Sequence, residues 1–137
     1  MFDAECPPCL LVVEEVMAER VALVKLLQSR SSYRIYSAAR GSGALEILAR
    51  QKIELIVARL RSPYEDGLSL VCRVGEAYPE VGIIAIAGED SPLDEEDPHP
   101  SIGLNAALRL GADRAVLHPL RSGRLLEAVE AVLALPH

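Results

Sequence analysis

Two carboxylates, an arginine and a histidine stand at the ends of short apolar runs, where a fold would gather them. Glu14 and Glu15 follow Leu10-Leu11-Val12-Val13, Arg59 follows Leu55-Ile56-Val57-Ala58, and His118 follows Ala115-Val116-Leu117. Paired carboxylates are hard oxygen ligands of the kind a divalent cation takes. A histidine beside them is equipped to act as a general base, to accept a phosphoryl group or to ligate a metal. Arg59 opposes the metal reading, because a guanidinium is always charged and has no acceptor atom. No Ser or Cys nucleophile accompanies His118, and one histidine with two glutamates beside an arginine is a thin ligand set. Neither catalysis nor a metal centre is expected, and no cofactor.

The remaining reactive residues form no second constellation. Cys6-Pro7-Pro8-Cys9 has the Cys-x-x-Cys spacing of redox and metal sites. Both spacers are proline, and no second pair completes four ligands. Residues 1–9 therefore read as a leader. Cys72 falls on the stripe Leu68, Val71, Cys72, Gly75 and reads as a small core residue. Gly41-Ser42-Gly43 lacks the Lys-Ser/Thr that completes a P-loop, and reads as a helix cap. His99 and His137 fall in a loop and in the tail.

The elements that must position these groups follow from apolar periodicity. Short β-rich runs fall at 10–13, 33–38, 55–58, 83–86 and 115–117. Helical stretches fall between them at 16–28, 41–49, 68–78 and 102–110, and a last helix is capped by Ser122. The first helix presents Met17, Val21, Val24 and Leu27 at helical spacing, the last Leu125, Val129, Val132 and Leu133. Strands alternating with helices imply an α/β fold of three layers, a five-stranded parallel sheet covered on both faces. Right-handed crossovers leave few topologies. The doubly wound order 2-1-3-4-5 suits one domain over 10–137, with its site beyond the carboxyl ends of strands one and three. Those strands are then neighbours, so Arg59 is expected to pair with Glu14 or Glu15. The competing expectation is an arginine that simply reaches water from the top of its strand.

Composition narrows the function classes. Half of the 137 residues are hydrophobic, which excludes a largely disordered chain. No apolar run approaches the roughly eighteen residues of a membrane span. Met1-Phe2-Asp3-Ala4-Glu5 carries no signal-peptide pattern, so the cytoplasm is the expected compartment. Fourteen basic residues against 20 acidic ones give a net charge of −6, which disfavours a nucleic-acid surface. The absence of Trp argues against a base-stacking platform. Residues 89–100 hold six acids and three prolines and read as an exposed acidic loop, suited to select a basic partner.

Three turn signals occur in order and at matching spacing: Pro63 with Asp66-Gly67, then Gly111-Ala112-Asp113, then the proline at 119. Together they resemble the receiver domains of bacterial response regulators (CheY-like), over residues 10–135. In that family the third strand ends on an aspartate that takes a phosphoryl group. The resemblance implies that Arg59 stands at that position, and that Glu14 and Glu15 stand for the acidic pair that helps hold Mg²⁺. Ala87 stands where receivers carry a Ser or Thr, His118 where they carry Lys, and Ala115 where they often carry an aromatic. Pro63, Asp66, Gly67 and Pro119 form the retained scaffold, with a cis bond expected between His118 and Pro119.

The resemblance thus implies a degenerate receiver. Phosphoryl transfer needs a nucleophilic oxygen in line with its donor, and Arg59 offers none. The expectation is a stand-alone signalling domain, not an enzyme, acting through a protein partner or a homodimer. The expected face is helix four, strand five and helix five, with Ile102, Leu104, Ala106, Leu108 and Val116. No direct nucleic-acid or membrane contact is expected. One alternative is a phosphorylated receiver with a relocated acceptor. Asp66 is nearest, but as a turn residue it is expected to face away from the pocket. The other is a small-ligand or enzymatic module on the flavodoxin-like fold, for which no phosphate-cradling loop is evident.

Overall fold

A computed structural model of the chain describes residues 7–29, 32–61, 64–88, 100–118 and 122–135. The strands are β1 (Cys9–Val13), β2 (Arg34–Ala38), β3 (Leu55–Arg59), β4 (Gly82–Gly88) and β5 (Arg114–His118). The helices are α1 (Met17–Gln28), α2 (Gly41–Arg50), α3 (Glu65–Ala77), α4 (Pro100–Leu110) and α5 (Ser122–Leu133). All strand pairs are parallel, in the order β2-β1-β3-β4-β5. The topology read from the alternating pattern is the one observed.

Side chains of period two split the core into two layers. Leu11, Val13, Ile56, Ala58, Ile83 and Ala85 pack with residues of α2, α3 and α4. Leu10, Val12, Leu55, Val57, Ile84 and Ile86 pack with α1 and α5. The central strands β3 and β4 are buried on both faces, which is why they read as unbroken apolar runs.

Two turns explain their sequence signals. A Cβ at Gly67 would lie 2.5 Å from Leu60 Cδ2, so any larger residue at the start of α3 would have to displace the buried Leu60 side chain. Gly111 adopts φ 127°, after which the Asp113 N–H donates to the Ile83 carbonyl at 2.8 Å. The Asp113 carboxylate in turn accepts the Ile83 N–H at 2.8 Å, which fixes β5 beside β4.

Several expectations are corrected. In α1 the buried residues are Leu23 and Leu27, while Met17 and Val21 are 67% and 45% exposed. Leu27 is buried and Val24 partly so, as expected, while Leu23 takes the inward place expected of Met17 and Val21. α3 starts three residues earlier than expected, with Glu65 and Asp66 in its first turn, where carboxylates favour the helix dipole. Its buried stripe is Leu70, Val71 and Val74, which leaves Cys72 half-buried on the helix shoulder rather than in the core. Cys9 belongs to β1 and not to a leader, its N–H held by Glu54 Oε2 at 2.9 Å. Cys6, Pro63, Pro119 with its expected cis bond, and the acidic residues 89–99 lie outside the described residues.

Candidate functional site

β1 and β3 run side by side with Val13 opposite Ala58, so the residues that follow meet at the same edge. Glu14 comes first. Its N–H donates to the Ala38 carbonyl at 3.1 Å, which carries the β2 pairing one residue past β1. This bond and the helix that follows bury it to 1% exposure. Arg59 is the last residue of β3, opposite Ile86 of β4, and its side chain is 3% exposed. Arg59 Nε lies 3.5 Å from Glu14 Oε2. The arginine is buried, which removes the solvent-reaching reading.

A buried ion pair is stable only when further hydrogen bonds compensate the lost hydration. Glu14 has them. Its Oε1 accepts the Val16 N–H at 2.9 Å and Arg61 Nε at 2.9 Å. Arg61 Nη2 lies 2.9 Å from the same oxygen and also reaches Glu19 on α1. Arg20 Nη1 donates to the Glu14 carbonyl at 2.8 Å. Glu14 is therefore the hub of a charged cluster with Arg59, Arg61, Glu19 and Arg20. It ties the β1–α1 connection to the β3–α3 connection.

Arg61, Glu19 and Arg20 were not legible as site residues. A signal for Arg61 existed: it sits two residues beyond Arg59, and in extended chain that spacing returns a side chain to the same side. Glu19 and Arg20 lie on α1, and nothing in their local pattern marks them.

The other expected site residues are placed as follows. Glu15 is exposed. Ala87 is fully buried at the end of β4, where its methyl group offers no hydroxyl. Ala115 is half-buried. His118 closes β5 opposite Gly88, and its side chain lies outside the described residues. Asp66 is exposed in the first turn of α3 and lines a cavity shared with Arg59. Among the described residues no group of three His, Cys, Asp or Glu is arranged to hold a metal ion.

The expected contact face is partly corrected. Ile102 and Leu108 are exposed at 58% and 44%, and Ala106 is half-buried. Leu104 and Val116 are core residues at 9% and 8%. Leu104 shares its inward side with Ala107, three residues on, while Ile102 and Leu108 stand on the outward side. Val116 packs into the α5 layer, and its neighbour Leu117 is the exposed strand residue at 53%. Outside the site, the Glu76 carboxylate beside Cys72 raises its thiol pKa, and burial adds to the shift.

The chain matches the response regulator receiver domain family over residues 10–130. It is 33% identical to the transcriptional regulatory protein AfsQ1 of Streptomyces coelicolor over 127 residues, 92% of this chain and 51% of that protein. It is 28% identical to the TorCAD operon transcriptional regulatory protein TorR of Escherichia coli K12, over 93% of this chain and 50% of that protein. The chain thus spans about half the length of the curated relatives it matches. A CheY-like receiver domain protein from Methanospirillum hungatei has the same fold, with a TM-score of 0.77 at 20% identity over 93% of this chain and 94% of the other. A response regulator receiver protein from Pseudomonas putida superposes with a TM-score of 0.75 at 27% identity, over 92% and 98%. With its sheet order, its turns and a family match over most of its length, this chain belongs to the response regulator receiver domains of two-component signalling.

Proposed function

We propose that this receiver domain signals without accepting a phosphoryl group at the end of β3, and that it works in the cytoplasm through protein contacts. One observation carries the reading. The side chain at the position the family uses for its acceptor is a buried guanidinium in ion contact with Glu14. It offers no nucleophilic oxygen, and it brings positive charge to the place where a divalent cation would need a carboxylate. Ala87 adds no hydroxyl for a phosphoryl oxygen. The output surface in this reading is the outward side of α4 with β5, where Ile102, Leu108, Leu110 and Leu117 are exposed. Exposed apolar side chains grouped this way favour a protein partner or a second copy of the chain.

Incubation with acetyl phosphate and Mg²⁺, followed by intact mass measurement, tests the chemical half. The mass is expected to stay unchanged. A stoichiometric gain of one phosphate overturns the reading, and loss of that gain in Asp66→Asn would locate the acceptor.

A further inference from the structure

A cavity of about 680 Å³ opens beside the charged cluster, on the α2–α3 side of the sheet. Its walls come from the ends of β1 and β3, the start of α2 and the first two turns of α3. This is the crevice where the strand order reverses between β1 and β3, the place at which open α/β sheets bind ligands. Its volume falls in the range of small-molecule sites, roughly 300–1,000 Å³. Ala87 and β5 do not line it, so it is separate from the position of the missing hydroxyl.

The lining is chemically uneven. Four arginines face three carboxylates: Arg40, Arg59, Arg61 and Arg73 against Glu15, Glu65 and Asp66. Arg59 and Arg61 are engaged by Glu14. Arg40 and Arg73 are exposed and make no ion pair among the described residues. Arg40 is also the residue that precedes α2. No side chain caps that helix, and its first turn, which includes Gly41 and Ser42 on the cavity wall, holds no acid. Backbone N–H groups at such an end favour an anion. Two available guanidiniums add planar donor forks suited to phosphate oxygens. Tyr64 forms part of the wall in a left-handed conformation with φ 71°, rare for a bulky side chain, while its ring lies against Gly103 of α4. Glu65 and Asp66 repel a phosphate but accept hydroxyl donors.

We propose that this cavity binds a small phosphorylated polyol, such as a sugar phosphate or a nucleoside monophosphate. Arg40, Arg73 and the start of α2 take the phosphate, and Glu65 and Asp66 take hydroxyls. Arg59 and Arg61 line the same cavity, but the two arginines that would take the phosphate lie outside the Glu14 cluster.

Titration of the ¹⁵N-labelled chain with ribose 5-phosphate, adenosine monophosphate, inorganic phosphate and unphosphorylated ribose tests this. Saturable shifts are expected at the amides of Gly41, Ser42 and Tyr64 with the first two ligands. Inorganic phosphate should bind more weakly, and ribose not at all. The double variant Arg40→Ala/Arg73→Ala should weaken organic phosphate binding at least tenfold with an unchanged melting temperature. Arg34→Ala, at the opposite end of β2, should leave it intact. The proposal is overturned if neither organic phosphate gives a saturable shift at millimolar concentration, or if the shifts map elsewhere. It is equally overturned if the double variant binds as the parent does, or if inorganic phosphate binds as tightly as the organic ligands.

Discussion

Replacing Glu14 and replacing Arg59 should have very unequal effects, although the two form one ion pair. At 3.5 Å the gross attraction between them is roughly 5 kcal/mol at an effective dielectric near 20, before desolvation is counted. Arg59→Met keeps the length of the stem and removes the charge. Glu14 then still has Arg61 at 2.9 Å and the Val16 N–H at 2.9 Å, so no carboxylate is stranded. The stability change should stay within about 1 kcal/mol of zero, of either sign, as for apolar replacement in other buried charge clusters. Glu14→Ala does the opposite. It removes the acceptor from Val16 and leaves a guanidinium that is 3% exposed without its carboxylate. Breaking a buried pair in this way costs about 3–5 kcal/mol. Glu14→Gln, which keeps an acceptor for Val16 but loses the charge, should fall between. Urea denaturation read as the transition midpoint, with the slope unchanged, measures all three. For a chain of this size the Glu14→Ala loss corresponds to a fall in melting temperature of roughly 10–20 °C. If Arg59→Met costs as much as Glu14→Ala, Glu14 is not the hub, and the account of the cluster is wrong.

Three further outcomes follow from the same geometry. Arg59→Asp places a third carboxylate beside Glu14 and Glu15, so the metal-free protein should melt lower and Mg²⁺ should raise its melting temperature; a Mg²⁺-independent melting point refutes this. Ile102→Asp and Leu108→Asp alter exposed positions on α4 and should weaken self-association or partner binding at near-constant stability, whereas Leu104→Asp, inside the core, should abolish folding; sedimentation and thermal melting separate the two. Glu76 is the main cause that holds the Cys72 thiol above its ordinary pKa, so Glu76→Gln should lower that pKa and leave more thiolate at mildly alkaline pH. Alkylation of Cys72 in a background with Cys6 and Cys9 replaced by Ser should then be faster and its pH profile shifted downward; an unchanged profile assigns the shift to burial instead.

The strands and their order were legible because each buried strand is a short apolar run, and because every crossover carries a helix of readable length. The neighbourhood of Glu14 and Arg59 followed from that order alone. The faces of α1 and α4 were less legible, because both helices carry apolar residues on more than one side. Periodicity then fixes the spacing of a stripe but not which stripe turns inward, and Met17, Val21 and Leu104 were placed on the wrong side for that reason. Arg61 was missed for a different cause. An arginine past the end of a strand reads locally as a solvated loop residue, and only the fold reveals that its side chain spans from β3 to both Glu14 and Glu19. That reach also gives Glu14 a second cation beside Arg59. A carboxylate that is 1% exposed needs a compensating cation in contact to offset its lost hydration. In a metal-binding receiver an ion from solution supplies that charge and departs with changing conditions. Here the cations are Arg59 and Arg61, two residues apart on the same stretch of chain, so the compensation is present whenever the fold is.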